Sequence, residues 1–389
     1  MSENSFRAHG VSPEVDRALA ARNITSPFRI QSLVLADALA GTDVLAKSPT
    51  GSGKTLAFAL PIVERIQSGS SPSALVLVPT RELALQVCDE IAVVAAPKQL
   101  SVATVYGGAP LGAQAKRARA ADVVVATPGR LQDLIDRRML SLERVRILVL
   151  DEADRMLDMG FKPQVERILK RIPGKRQTML FSATLDGEVL ELARTYTQSP
   201  ARFEAELPKD LEQGEVDHKF IPVTAAAKVD ALVQELERDR DLALVFVRTK
   251  RGAERLVQKL ARKDVKAAAL HGDMTQGARE RALKRFRRGD VTTLVATDVA
   301  ARGLDLDNIT HVINFDPPAD DTSYVHRVGR TGRAGRSGSG VTLVLPEQQA
   351  DVSRVARMLG HMQQFQHEGM RVAPARRVYT SRRGRRSRW

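Results

Sequence analysis

Residues 43–67 read DVLAKSPTGSGKTLAFALPIVERIQ, and the reading of this stretch decides the fold. The apolar run at 43–46 has the composition of a short buried strand. A glycine-rich turn follows, Ser48-Pro49-Thr50-Gly51-Ser52-Gly53-Lys54-Thr55, and 56–67 then has helical spacing. By itself such a turn could be a surface loop. A strand before it and a helix after it make it a phosphate site, because glycines let backbone N–H groups turn inward at a positive helix N-terminus. Lys54 can reach terminal phosphates, and the Thr55 hydroxyl can bind Mg²⁺.

Further along, the apolar strand 147–150 runs directly into Asp151-Glu152-Ala153-Asp154. An aspartate at the carboxyl end of a parallel strand faces the crevice where ligands bind in open α/β sheets. Asp151 is suited to hold Mg²⁺ through oxygen, and Glu152 to orient and deprotonate an attacking water. An acidic tetrad alone is usually a helix cap or a solvated turn. With a phosphate loop upstream, it reads as the second half of a nucleotide site.

The same alternation extends outward. Strands are expected at 74–78, 122–126 and 178–181, with a further helix at 163–171. The second half repeats the scheme, with strands at 244–247, 267–270, 293–296, 311–314 and 341–345 and helices at 252–262 and 279–286. Strands buried on both faces and alternating with helices predict parallel α/β sheets. A chain of 389 residues suits two such domains, each of about 150 to 200 residues. The polar segment 204–217, with Pro208 and Gly214, is the natural linker. The expected boundaries are 1–205, a linker at 206–217, a second domain at 218–365 and a tail at 366–389.

Composition narrows the class of partner. The net charge of +14 and a pI near 10.2 point to a polyanion. No run approaches the length of a spanning helix, and residues 1–10 lack an apolar signal core, so a cytoplasmic chain is expected. Cys88 is the only cysteine, which excludes a disulfide framework and a thiolate metal cluster. Residues 371–389 hold eight arginines and no acid. This tail reads as disordered, either a solvated end or a tether for a polyanion.

With these segments in place, the chain over about residues 6–345 resembles a DEAD-box RNA helicase. Gln31 closes Pro27-Phe28-Arg29-Ile30-Gln31, similar to the adenine-reading Q motif, with Phe6 as its isolated upstream aromatic. The resemblance implies RNA-backbone contacts from Pro79, Thr80, Arg81, Gly107, Gly108, Thr127, Pro128, Gly129 and Arg130. Ser182-Ala183-Thr184 is similar to the segment that couples hydrolysis to strand separation. In the second half, Arg248 and Thr249, Gln276 and Arg279, and Thr297 and Asp298 fall where the family touches RNA, and Gly303 and Asp305 where it touches nucleotide. The sixth motif lies at 326–333. There the resemblance implies that His326 links to the acidic tetrad and that Arg330 and Arg333 reach the γ-phosphate. Arginine suits that task because it stays charged and binds phosphate oxygens in bidentate fashion.

The resemblance therefore implies two tandem RecA-like domains, ATP and Mg²⁺ as ligands, and a monomer that separates short RNA duplexes or remodels ribonucleoprotein. Aromatic residues are only 4% of the chain, which argues against base-stacking platforms and for sequence-independent grip on the backbone. An ATP-gated RNA clamp and a DNA-directed helicase of the same superfamily are the rival readings. Asn23, Arg29 and Ser48 depart from the family pattern. The short core with a basic tail is similar to the RhlE-like subgroup. No second histidine lies at metal-ligand spacing, so zinc is rejected.

Overall fold

The computed structural model describes residues 5–49, 51–69, 71–205, 216–301, 308–318, 320–332 and 337–372. The chain forms two compact units, the first holding described residues up to 205 and the second those from 216 onward.

The first unit opens with α1 (Pro13–Ala20) and α2 (Arg29–Ala40), then β1 (Val44–Lys47) and α3 (Lys54–Arg65). The chain continues through β2 (Ala74–Leu77), α4 (Arg81–Ala95), β3 (Val102–Val105), α5 (Leu111–Ala120), β4 (Val123–Ala126) and α6 (Pro128–Asp136). It ends with β5 (Ile147–Leu150), α7 (Ala153–Asp158), α8 (Lys162–Leu169), β6 (Gln177–Ser182), α9 (Gly187–Tyr196) and β7 (Ala201–Glu204). These seven strands form one parallel sheet in the order β3-β4-β2-β5-β6-β1-β7.

The second unit runs β8 (Val216–Pro222), α10 (Lys228–Leu236), β9 (Leu242–Phe246), α11 (Lys250–Ala261), β10 (Ala267–Leu270) and α12 (Gln276–Arg287). Then come β11 (Thr293–Ala296), α13 (Asp298–Ala301), β12 (Ile309–Asn314), α14 (Asp321–Val328), β13 (Gly338–Val344), α15 (Gln349–Met358) and α16 (Met362–His367). Its six parallel strands are ordered β10-β11-β9-β12-β13-β8.

The central strands β2, β4, β5 and β6 are buried along their whole length, as continuous apolar runs require. Apolar layers cover both faces of the first sheet, one including Val76, Val125 and Val149 and the other Leu75, Val124 and Leu148. Helix α3 starts two residues before the expected 56, so Lys54 and Thr55 lie in its first turn.

β8 begins at 216, inside the segment expected as linker, and α16 straddles the boundary expected at 365. Phe365 and Met370 are buried there, so packed structure continues into the segment expected as tail. The rest of the linker, 206–215, and the tail from 373 lie outside the described residues. Cys88 is half-buried, and burial pushes its thiol up to about 11, as suits an inert packed thiol.

Candidate nucleotide and RNA site

In a parallel sheet the carboxyl ends of all strands share one edge, and here that edge collects the sequence motifs. The phosphate loop follows β1, the acidic tetrad follows β5, and Ser182 closes β6, all on adjacent strands. The loops with Thr80, Gly107 and Thr127 follow β2, β3 and β4, the other side of the same sheet. Strand order thus separates the loops expected to hold nucleotide from those expected to hold RNA, with β5 and β2 as the seam.

Within the phosphate loop, Gly51 and Gly53 have φ of 87° and 84°, a conformation that a side chain disfavours. Gly53 caps α3. Lys54 is buried, and its Nζ donates to the carbonyls of Ser48 and Pro49, each at 2.9 Å. Ser52 Oγ donates to the Pro49 carbonyl at 2.8 Å, while Ser48 Oγ donates to Ser52 Oγ at 2.5 Å. The loop is therefore held by its own polar groups, and Lys54 must exchange a carbonyl for a phosphate oxygen when it binds one. Thr50 lies outside the described residues.

Gln31 ties the Q-like segment to this loop. Its Oε1 accepts from Phe28 N at 2.8 Å, and its Nε2 donates to the Gly53 carbonyl at 2.9 Å. A buried amide so committed keeps one N–H and one lone pair for a base. Phe6 is wholly buried in the core of the first unit. The structure thus gives this residue, expected at the nucleotide, a packing role in the core.

The tetrad is bent and tightly bonded. Glu152 has φ 49° and ψ 50°, a left-handed conformation that costs a non-glycine residue about 1–3 kcal/mol. Asp151 Oδ1 accepts from Glu152 N at 2.9 Å. Burial pushes the Asp151 carboxyl up to about 7, opposed by the charge of Lys54 and reinforced by Glu152. Asp154 Oδ2 accepts from the backbone N of Ala183 at 3.1 Å and of Thr184 at 3.2 Å, and Ser182 Oγ accepts from Asp154 N at 3.3 Å. Tetrad and Ser182-Ala183-Thr184 thus form one hydrogen-bonded unit. Arg155, which the motif reading passed over, places Nη1 2.5 Å from Glu152 Oε2. Its spacing of three residues on a helix was the available signal.

Among the loops expected at RNA, Arg81 lies over the double glycine. A Cβ at Gly108 would stand 2.5 Å from Arg81 Nη1, and one at Gly107 3.3 Å from Nη2. Arg130 Nη1 donates to the Ala109 carbonyl at 2.7 Å. Gln114 pins the base of this loop, accepting from Tyr106 N and donating to Tyr106 O, both at 2.9 Å. Nothing local in the sequence marks Gln114. Thr80 caps α4 by accepting from Leu83 N. Thr127 caps α6, and Pro128 starts it with Gly129 next in its first turn.

In the second unit the expected RNA residues divide. Arg248 is exposed, and its backbone N donates to Asp316 Oδ2 at 2.9 Å. Thr249 caps α11, and Thr297 is buried at the end of β11. Gln276 donates to Glu280 Oε1 at 2.9 Å.

Arg279 and Asp298, both expected at RNA, are bonded within the unit. Buried Arg279 donates to the carbonyls of His271 at 3.2 Å and Ala300 at 3.4 Å, bracing backbone. Asp298 accepts from Arg327 Nε at 2.6 Å and Nη2 at 2.7 Å. Arg327 also donates to Asn314 Oδ1 and the Asp316 carbonyl, and lies 4.9 Å from the Phe246 ring centroid. Arg330 is buried just past α14, and His326 is exposed on that helix. Gly303, Asp305 and Arg333 lie outside the described residues.

Comparison with known proteins identifies the family. Residues 28–192 match the family described as DEAD/DEAH box helicase, and 227–335 the helicase conserved C-terminal domain. A Geobacillus kaustophilus protein named DEAD-box ATP-dependent RNA helicase CshA is 40% identical over 356 residues, covering 91% of this chain and 76% of the relative. The Mycobacterium tuberculosis ATP-dependent RNA helicase DeaD is 45% identical over 351 residues, covering 89% of this chain and 62% of that one. The chain thus spans less than two thirds of the mycobacterial relative. Saccharomyces cerevisiae Dbp5 bound to RNA and ADP BeF3 superposes with a TM-score of 0.79 at 30% identity, covering 96% of this chain and 95% of that chain. The names of these relatives do not carry the expected RhlE-like subgroup forward.

Proposed function

Because the chain belongs to the DEAD-box ATP-dependent RNA helicase family, we propose that it binds RNA and ATP together, opens short duplexes or remodels ribonucleoprotein, and resets by hydrolysing ATP. The observation that carries this reading is the single hydrogen-bonded edge on which the phosphate loop, the tetrad and Ser182-Ala183-Thr184 meet, with the RNA-type loops on neighbouring strands.

Gln31 reads the base, while Lys54 and the backbone of 51–54 hold the phosphates. Mg²⁺ fits the donor set, since the buried carboxylate of Asp151 and the Thr55 hydroxyl are hard oxygen donors beside the phosphate loop. When bound, that ion offsets charge on the phosphates. Glu152 takes the proton of the attacking water after releasing Arg155. Arg330 and Arg333, from the second unit, stabilise charge on the γ-phosphate, so turnover waits for both units.

Thr80, Arg81, Gly107, Gly108, Thr127, Gly129 and Arg130 hold RNA by phosphate and sugar, and Arg248, Thr249, Gln276 and Thr297 of the second unit also hold it. The protein acts as a monomer in the cytoplasm, and its arginine-rich end tethers RNA. ATP turnover measured with RNA and DNA of identical sequence tests this reading. Stimulation by RNA alone, with displacement of a short RNA duplex, is expected. Equal stimulation by DNA would contradict it.

A further inference from the structure

Residues 248–288 hold fourteen lysines and arginines against four acids, in a chain whose net charge is +14. Part of this excess forms a pattern on α12. Arg281, Lys284, Arg285 and the C-cap Arg288 recur at i, i+3, i+4 and i+7, so they share one face. All four are exposed, while Ala282, Leu283 and Phe286 on the same helix are buried. Among the described residues none of the four makes an ion pair. Neighbouring lysines do: Lys250 pairs with Asp273 at 2.6 Å and Lys263 with Asp230 at 2.5 Å.

A structural origin for this stripe is weak. Like charges three and four residues apart weaken a helix. Attraction to the helix C-terminus accounts for cations in the last turn but not for Arg281, which lies nearly two turns earlier. The face also lacks the apolar anchors of a protein interface, since the exposed large hydrophobics are Phe28, Leu33, Val325 and Met358.

We propose that this stripe is a second contact for RNA phosphates, outside the loops at the carboxyl edges of the sheets. It rests on the RNA-binding reading above. α12 begins at Gln276, beside the carboxyl end of β10, where Arg279 is bonded to the His271 carbonyl. RNA that passes Gln276 therefore runs on along the helix. Arg281 and Arg288 are about 10 Å apart along the axis, which matches roughly three phosphates of a stacked strand. The stripe raises affinity for RNA longer than the groove holds and does not alter the chemistry of ATP.

The test is the full-length variant R281Q/K284Q/R285Q/R288Q, with an all-lysine set at the same positions as the charge-preserving control. Binding and ATP turnover are measured with RNAs of about 6 and about 30 nucleotides, the shorter lying within a single site's size. The glutamine variant is expected to need on the order of tenfold more of the longer RNA for half-saturation. Its log–log salt slope should fall by about 3, since each cation on a single strand contributes about 0.7. The shorter RNA and the maximal turnover should be unaffected, and the all-lysine variant should behave as wild type. Equal weakening on both RNAs, or on neither, overturns the proposal. So does loss of binding to polyglutamate with RNA binding intact, which would assign the face to an acidic protein. If no RNA raises wild-type turnover, the helicase reading fails, while direct binding of the longer RNA still decides the stripe.

Discussion

Arg155 Nη1 lies 2.5 Å from Glu152 Oε2, and both side chains are nearly buried. Removing one member of a buried pair leaves an uncompensated charge, a loss of about 3–5 kcal/mol. Arg155→Met should therefore lower the stability of the first unit by that order in urea unfolding, and Arg155→Lys by clearly less. Equal stability of Arg155→Met and wild type would mean that the pair contributes nothing to the tetrad.

Gln31 bridges Phe28 and Gly53, so it shapes the phosphate loop as well as the base site. Gln31→Ala strands a backbone donor and acceptor, at about 1–3 kcal/mol if both stay dry. The KM for ATP should rise on the order of tenfold or more, with turnover on inorganic tripolyphosphate also reduced. An effect confined to ATP would assign Gln31 to the base alone.

Asp298 accepts two hydrogen bonds from Arg327. Asp298→Asn should destabilise the second unit by about 3 kcal/mol, since the guanidinium it leaves is buried. At temperatures where the variant is folded, half-saturating RNA should match wild type. A stable variant with weakened RNA binding would restore the RNA role.

His218 gives the second unit a pH dependence. Burial and then the charge of His361 hold its imidazole below the usual histidine range, with Asp217 opposing. A depressed folded pKa stabilises the fold above the unfolded value near 6.5, and that contribution is lost as pH falls through the folded value. The thermal midpoint of the second unit should drop between pH 7.5 and 5.5, and His218→Gln should flatten the drop. An unchanged slope in His218→Gln would place the acid sensitivity elsewhere, with His311 as the next group, since its imidazole is also held down.

Much of this site was legible because phosphate loops and strand-end acids are local patterns. The run 43–67 located β1, the loop and α3 to within a few residues. The half-buried edge strands β3 and β7 alternate in burial and lack a continuous apolar run, so they carry a weak signal. β8, with Asp217, His218 and Lys219 near its start, reads as linker for the same reason. The jobs of Asp298 and Arg279 were hidden differently. Arg327 is 29 residues from Asp298, and Ala300 is 21 from Arg279, so only tertiary pairing shows that both are bonded within the unit. Phe6 looked available because it is isolated in sequence, yet packing leaves it no surface.

Proposed as the base, Glu152 removes the water proton in an RNA-coupled ATPase. The direct test is ATP turnover by wild type and Glu152→Gln, with and without saturating RNA, beside RNA retention in the presence of ATP. RNA should stimulate wild type, and turnover should fall by about 10²–10⁴ in the variant, which still holds ATP and RNA. Wild-type turnover in Glu152→Gln, or turnover indifferent to RNA, would contradict it.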